Sequence, residues 1–177
     1  TDKDKSAVLK KANEIKNKLK KYSVELDERD EYTPGWKFNE YEMKGIPLRI
    51  EIGPKDLEKN QVVLVRRDNG EKEAVSIENL DVKVGEMLLD IQNSLFKRAS
   101  EYLEKSIIKV DNFEQLNNAI KHKKIAFAKF CGSIECEEHI KEKTGGASSR
   151  CIPFTQPAVK GECVRCSESA RYWVYFA

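Results

Sequence analysis

Four of the five cysteines in this 177-residue chain fall into two close pairs. Cys131 and Cys136 are separated by four residues, and Cys163 and Cys166 are separated by two. Two such pairs supply the four soft donors of a tetrahedral zinc ion, and a closed set of four thiolates leaves no open position for water or substrate. The spacing therefore predicts a structural zinc site and argues against a zinc hydrolase.

The fifth cysteine and a nearby histidine lie outside this set. Cys151 precedes an apolar stretch and is expected to be a buried small hydrophobe. His139 follows Cys136 at a helical spacing of three residues and is the alternative ligand in place of one thiolate. The chain has only two histidines, His122 and His139, and no nucleophile beside a base, so acid–base catalysis is not expected.

A second group of residues that could bind a ligand lies in residues 34–54, PGWKFNEYEMKGIPLRIEIGP. Residues 35–44 are expected to be helical, a glycine ends that helix, and residues 48–52 alternate as a short strand. The alternation puts Arg49 and Glu51 on one strand face, opposite the apolar face. An arginine beside a glutamate offers paired donors and acceptors that can read a nucleobase edge. A solvated sheet face with a weak ion pair is the alternative.

Periodic segments on either side must position these groups. Apolar residues at spacings of three and four predict a helix over residues 3–21, and alternation predicts a strand over residues 23–27. The Asn-Gly pair at 69–70 predicts a tight type I′ hairpin. A helix over residues 81–105 is expected to bury one apolar face along its whole length, including Ala99, Tyr102 and Leu103.

The run PGWKFNEYEMKGIPLRIEIGPKDLEKNQVVLVRRD resembles the anticodon-binding domain of class II aminoacyl-tRNA synthetases, in particular the prolyl-tRNA synthetases of the eukaryotic and archaeal type. The second half resembles the extra C-terminal domain of that family in its Phe-Cys-Gly-(x)3-Cys segment, its Arg-Cys-Ile-Pro-Phe segment, its Cys-(x)2-Cys pair and its aromatic terminus. The resemblance implies a mixed-sheet α/β anticodon-binding domain, followed by a small α/β domain that usually carries structural zinc. The change of periodicity places the boundary between residues 1–105 and 106–177.

The resemblance also implies a function. The parent protein would join proline to its tRNA, using ATP and Mg²⁺. The arginines of the class II catalytic core have no counterpart in these residues, so the chain is expected to bind tRNA(Pro) and to catalyse nothing. Its other partners would be the catalytic domain of the same parent chain and a second copy, through a homodimer formed by that domain. Members of the family typically continue a few residues further and end in a tyrosine whose carboxylate reaches towards the catalytic domain. The given sequence stops at Tyr175-Phe176-Ala177, so that contact is not expected here.

The residues expected to contact RNA follow from the anticodon. Proline anticodons share two guanines, whose edges present both donors and acceptors, so cations and carboxylates are needed in one patch. Matching by the family motif assigns base reading to Glu42, Arg49, Lys55 and Asp56, with Lys37 as support. Arg66 and Arg67 are expected to contact phosphate. Trp36 and Phe38 are able to stack on a splayed base, although burial under the sheet edge is the favoured expectation for Trp36.

Composition limits the alternatives. The 32 basic and 30 acidic residues leave a net charge of +2, which is too small for a protein that binds polyanions by bulk charge. The sequence has neither a long apolar run nor an apolar signal core, so no membrane span is expected. The odd number of cysteines and their two close pairs, together with the missing signal, favour a reducing compartment such as the cytoplasm. The competing function is a zinc-stabilised protein-interaction module without an RNA role, which docks through the aromatic strand at residues 172–176.

Overall fold

The computed structural model describes residues 2–177, with side chains from residue 4 onward. It contains two compact units, the first extending to Lys97 and the second comprising Arg98–Ala177. Both units combine helices with a sheet, which confirms the predicted α/β fold class. The domain boundary at residue 106 stays a prediction. Within the described residues, no helix is both long and apolar enough to span a membrane.

The first unit is built around a three-stranded antiparallel sheet in the order β1-β2-β3. Its elements are α1 (Asp2–Lys18), α2 (Pro34–Met43), β1 (Leu48–Glu51), α3 (Pro54–Glu58), β2 (Gln61–Arg66), β3 (Lys72–Ser76) and most of α4 (Leu80–Ser106). Apolar residues of α1, β2, β3 and α4 form one buried core, with Leu48 and Ile50 of β1 packed against it. The alternation expected for β1 is therefore confirmed, because Leu48 and Ile50 face the core.

Helix α4 buries its apolar face only in its N-terminal half. Val84, Met87 and Ile91 are buried in the core of the first unit. The expectation that the apolar face stays buried to the end of the helix is wrong, since Tyr102 and Leu103 are 76% and 52% exposed. Periodicity shows which residues share a helix face, but it does not show where the surface that they pack against ends.

Two local predictions in the first unit are also corrected. Residues 23–26 alternate between exposed and partly buried, but no strand pairs with residues 23–27, so they form an irregular segment outside the sheet. The turn between β2 and β3 is wider than a two-residue hairpin. Gly70 has a φ of +74°, whereas Asn69 does not have a positive φ, and the Gly70 N–H donates to the Arg66 carbonyl at 3.0 Å. A type I′ turn requires positive φ at both central positions.

The second unit contains a mixed four-stranded sheet in the order β4-β5-β7-β6. Its elements after α4 are β4 (Ile107–Val110), α5 (Phe113–Lys121), β5 (Ile125–Phe130), α6 (Ile134–Thr144), β6 (Ser149–Cys151) and β7 (Tyr172–Phe176). Strands β4 and β5 are parallel and joined through α5, whereas β7 is antiparallel to both of its neighbours. Strand β7 is thus central, and Trp173, Val174 and Phe176 are buried. It is not the exposed docking strand that the protein-interaction alternative requires.

The guanidinium of Arg66 lies inside the first unit. Arg66 is 8% exposed and sits opposite Leu48 in the β1–β2 ladder, on the core side of the sheet. It donates to Asp68 at 2.9 and 3.0 Å and also to Asp90 of α4. Its expected contact with phosphate is therefore not supported by the geometry, whereas its neighbour Arg67 is exposed. The sequence could not show this difference, because Asp90 lies 24 residues away.

Replacing Arg66 with alanine is expected to destabilise the first unit by about 3 kcal/mol, because it takes the cation away from the Asp68 carboxylate, which is only 4% exposed. Arg67→Ala is the matched control and should change the free energy of unfolding by less than about 0.5 kcal/mol. Urea denaturation of both variants measures the difference. Equal stabilities for the two would show that the ion pair does not support the fold.

Candidate functional sites

The Arg49 cluster consists of Phe38, Glu42, Arg49 and Glu51. The Arg49 guanidinium donates from Nη1 to Glu42 at 2.7 Å and from Nε to Glu51 at 2.9 Å. Its Cζ lies 4.1 Å from the centre of the Phe38 ring, which is a cation–π distance. Arg49 is 17% exposed and Glu42 is 48% exposed, so the carboxylate faces solvent over a largely sheltered cation. The structure brings Glu42 and Arg49 together as the sequence predicted.

Local structure explains this convergence. Thr33 caps α2, its hydroxyl accepting from the Trp36 N–H at 3.4 Å, and Pro34 occupies the first turn, where a missing N–H costs nothing. After the helix, Gly45 adopts a φ of +83° and turns the chain back towards β1. Glu42, near the end of α2, then lies over the polar face of β1. The cluster lines an open cavity of about 1120 Å³, to which α1, α2 and β1 contribute.

The other predicted RNA-contacting residues do not all join this cluster. Asp56 accepts from the Gly53 N–H at 3.0 Å and from the Gln61 side chain at 3.3 Å, so both of its carboxylate oxygens hold α3 in place. Lys55 precedes it and is exposed. Lys37 points elsewhere, towards Asp27, with its Nζ 3.4 Å from the Asp27 carboxylate.

A second charged group in the first unit was missed by sequence reasoning. Arg29 donates to Asp27 at 2.7 and 3.0 Å and to Glu40 of α2 at 2.5 Å. The hydrogen bonds from Arg29 are the main cause that holds the pKa of Asp27 and that of Glu40 below their ordinary values. No local sequence pattern connects Arg29 with Glu40, which lies eleven residues further on.

Trp36 does not lie buried under the sheet edge. It is 46% exposed and stacks on Tyr32, with ring centres 3.9 Å apart and an interplanar angle of 12°. The expectation of burial is wrong because Trp36 begins α2 on the side that faces away from the sheet, whereas Phe38, two residues later, faces Arg49.

In the second unit, the four paired cysteines converge. The sulfur atoms of Cys131, Cys136, Cys163 and Cys166 all lie within 4.8 Å of one another. The Cys131 sulfur is 3.5 Å from that of Cys136 and 3.8 Å from that of Cys166. Four sulfurs bound tetrahedrally at about 2.3 Å from one zinc ion would lie about 3.8 Å apart. The donor set is therefore close enough to bind one metal ion, and its separations are too long for disulfides.

The backbone around the cysteines is shaped for metal-bound thiolates. Gly132 adopts a φ of +89°, and a Cβ there would approach the Tyr172 ring to 3.1 Å. This turn lets the Ser133 N–H point at the Cys131 sulfur at 3.5 Å. Across the site, the Arg165 side chain lies 4.0 Å from the Cys136 sulfur. Donors around sulfur offset the negative charge that four thiolates bring.

Without a cation, two of these thiols, Cys131 and Cys136, resist ionisation. Burial is the main cause that raises the pKa of Cys131 and raises the pKa of Cys136 to about 12. Burial also acts to raise the pKa of Cys163, but backbone hydrogen bonds from Arg165 and Cys166 outweigh it and lower that pKa. A divalent cation would reverse the effect of burial, because thiolates are its ligands. The pKa values of Cys131 and Cys136 therefore depend on whether a cation is bound beside them.

Two neighbouring residues lie outside this site. His139 is absent from the donor set, since its ring packs edge-on against Phe113 at 5.6 Å. The alternative ligand is thus not supported by the geometry. Cys151 is exposed, and the expectation of a buried residue is wrong because it ends β6, a three-residue edge strand with every residue exposed.

The two halves of the chain match two domain families in order. Residues 2–87 match the family described as "Anticodon binding domain". Residues 113–177 match "Prolyl-tRNA synthetase, C-terminal". The two domains expected from the resemblance are thereby confirmed in kind and in order.

Several curated relatives that are similar to this chain are proline–tRNA ligases. The chain is 46% identical over 175 residues to a proline–tRNA ligase of Alkaliphilus oremlandii, covering 98% of this chain and 36% of that protein. It is 47% identical to proline–tRNA ligase 2 of Bacillus cereus and 49% identical to a proline–tRNA ligase of Clostridium botulinum, each match covering 97% of this chain and 36% of the relative. The chain thus spans about a third of the length of these relatives. All three are bacterial, so the eukaryotic and archaeal type stays a prediction.

Replacing Cys163 with serine is expected to abolish metal binding, since a tetrahedral shell would lose one of four ligands. Metal analysis should find about one zinc ion per wild-type chain and much less in the variant. Hydrogen exchange should quicken in the second unit and stay unchanged in the first, which has its own core.

Cys151→Ser is the matched control, because it removes a thiol that lies outside the donor set. It should keep the metal and the exchange protection of the wild type. A folded, metal-free wild-type protein with four alkylatable thiols would contradict the metal site.

Proposed function

We propose that this chain is the tRNA-recognition part of a proline–tRNA ligase, and that its first unit binds the anticodon of tRNA(Pro). The observation that carries the proposal is the Arg49 cluster, which lies inside the segment that matches an anticodon-binding domain. The cluster offers a planar donor group between two carboxylates at the wall of an open cavity. That combination complements the edge of a guanine, which carries acceptors and donors together.

In this proposal each member of the cluster has a separate role. The Arg49 guanidinium donates to the O6 and N7 acceptors of a guanine, as arginine does in other base-specific contacts. Glu42, which is half exposed, accepts from the N1 and N2 donors after it releases Arg49. Glu51 keeps hold of the Arg49 Nε during this exchange and so fixes the plane of the guanidinium. The Phe38 ring supports the same plane from beneath.

The remaining predicted residues act around the cluster. Lys55 and Arg67 are exposed cations able to contact phosphate oxygens. Asp56 acts indirectly, because its carboxylate holds Gly53 and α3, the segment that presents Lys55. Lys37 fixes the irregular segment at Asp27 and so positions α2. Arg66 supports the sheet and has no direct role in this proposal.

The second unit is proposed to hold one structural zinc ion through Cys131, Cys136, Cys163 and Cys166. The all-sulfur donor set and the sulfur separations support zinc over magnesium or calcium, which prefer oxygen. Four ligands complete the shell, so the ion stabilises the unit and takes no part in a reaction. Use of ATP and Mg²⁺, a catalytic domain, a homodimer formed through that domain and a cytoplasmic location are proposed for the parent protein.

The proposal predicts different effects for two arginines. Arg49→Ala should weaken binding of a proline-tRNA anticodon stem-loop by roughly 1–3 kcal/mol, and should affect a stem-loop with other anticodon bases much less. Arg67→Ala should weaken binding of both stem-loops alike, since a phosphate contact carries no sequence information. It should also reduce the salt dependence of binding, because one phosphate contact is lost.

The measurement is the dissociation constant of each variant for both stem-loops over a range of salt concentrations. Arg49→Lys serves as a further variant, because lysine keeps the charge but loses the planar fork. It should restore general RNA binding and not the preference for guanine. Equal losses for the two RNAs in Arg49→Ala would show that Arg49 does not read bases.

A further inference from the structure

An aromatic platform lies on the side of α2 that faces away from the sheet. The rings of Tyr32 and Trp36 are stacked 3.9 Å apart and nearly parallel, and they are 37% and 46% exposed. Two large aromatic side chains that expose this much surface add little to the core. Their geometry is instead that of neighbouring bases in a nucleic-acid stack.

Arg29 and the ion pairs around it hold the platform in place. Arg29 lies 4.9 Å from the Tyr32 ring centre and 5.5 Å from the Trp36 ring centre. Its guanidinium is itself fixed by Asp27 on one side and Glu40 of α2 on the other. One cation is already in place on the rings, and the two carboxylates that hold it also pair with Lys37 and Lys44. A second cation therefore gains little there. A flat, uncharged ring is the better occupant.

The platform and the Arg49 cluster are both carried by α2. Trp36 and Glu42 are exposed and six residues apart, which puts them about 9 Å apart along the axis and about 120° apart around it, at 1.5 Å and about 100° per residue. An RNA loop bound at Glu42 and Arg49 therefore reaches Trp36 by passing round the exposed side of α2, a path of a few nucleotides.

We propose that the Tyr32–Trp36 platform binds one unpaired base of the same RNA loop whose anticodon bases contact the Arg49 cluster. This inference rests on the proposed function and adds a second kind of contact to it. The platform stacks on the base and does not read its edge, so it accepts any of the four bases. It orders the loop for the cluster, and the contact involves no ion pair with phosphate.

The test compares Trp36→Ala, Trp36→Phe and wild type for binding to the proline-tRNA anticodon stem-loop over a series of salt concentrations. Trp36→Ala should weaken binding roughly tenfold, and Trp36→Phe should weaken it much less because a ring remains. The loss should be the same at every salt concentration, unlike the loss expected for Arg67→Ala, since stacking releases no counterions. Phe96→Ala removes another exposed aromatic ring, on α4, and should bind as wild type does.

Fluorescence gives an independent readout in the unmodified chain. The chain has two tryptophans, and Trp173 is only 3% exposed, so quenching by added RNA should come from Trp36 and vanish in Trp36→Phe. Stem-loops that each carry one abasic residue identify the stacked base. Wild type and Trp36→Ala should bind one of these stem-loops equally well, even if the substitution also changes stability.

The outcomes separate the two proposals. If wild type binds the stem-loop, but Trp36→Ala binds within twofold of it and no quenching occurs, the platform does not bind a base and the Arg49 proposal stands. A platform that contacts a protein instead would give this result. If wild type binds neither the proline-tRNA anticodon stem-loop nor the stem-loop with other anticodon bases, the proposed function fails, and the platform proposal fails with it.

Discussion

The antiparallel register of β1 on β2 determines what each surface of the first unit is able to do. Leu48 lies opposite Arg66 and Ile50 opposite Leu64, whereas Arg49 lies opposite Val65 and Glu51 opposite Val63. Cross-strand partners share a face, so one ladder assigns Arg66 to the core and Arg49 to the cavity. A slip of one residue would exchange the two faces, burying Arg49 and exposing Ile50. The core and the candidate site therefore cannot vary independently.

The pairing of Arg49 before any ligand arrives has an energetic consequence. In the proposed binding mode, the Arg49 contact with Glu42 must be exchanged for contacts with a base, so the net gain in binding is smaller than the new hydrogen bonds alone would give. A wrong base takes Glu42 away from Arg49 without replacing both contacts, which leaves a partly buried charged group unsatisfied. If the proposed function is right, the pre-formed cluster favours discrimination between bases over affinity. Affinity must then come from contacts that do not depend on the base edge, such as stacking and phosphate.

Local pattern predicted those parts of the structure that depend on neighbours in sequence. The alternation around Arg49, the helix that carries Glu42 and the two cysteine pairs all follow from spacings of a few residues. The sequence could not predict partners chosen by tertiary contact. Arg66 meets Asp90 across the core, and residues 23–27 have a strand pattern but no strand beside them. Predictions of burial in short edge strands fail for the same reason, as the exposed Cys151 at the end of β6 shows.

In the second unit, the four cysteines of the candidate metal site are part of the hydrophobic core or pack against it. Cys136 and Cys163 belong to the buried cluster that includes Leu116, Val174 and Phe176, and Cys131 and Cys166 pack against it. The two cysteine pairs are 26 residues apart in sequence, so a bound ion closes a long loop, the kind of closure that gains most from a cross-link. When the ion is lost, burial keeps the Cys131 and Cys136 thiols neutral, so the site loses its bonds without gaining four repelling charges. A bound metal ion would therefore add cross-links to a core that is already apolar, and its loss should loosen the packing around the cysteines before it separates the strands.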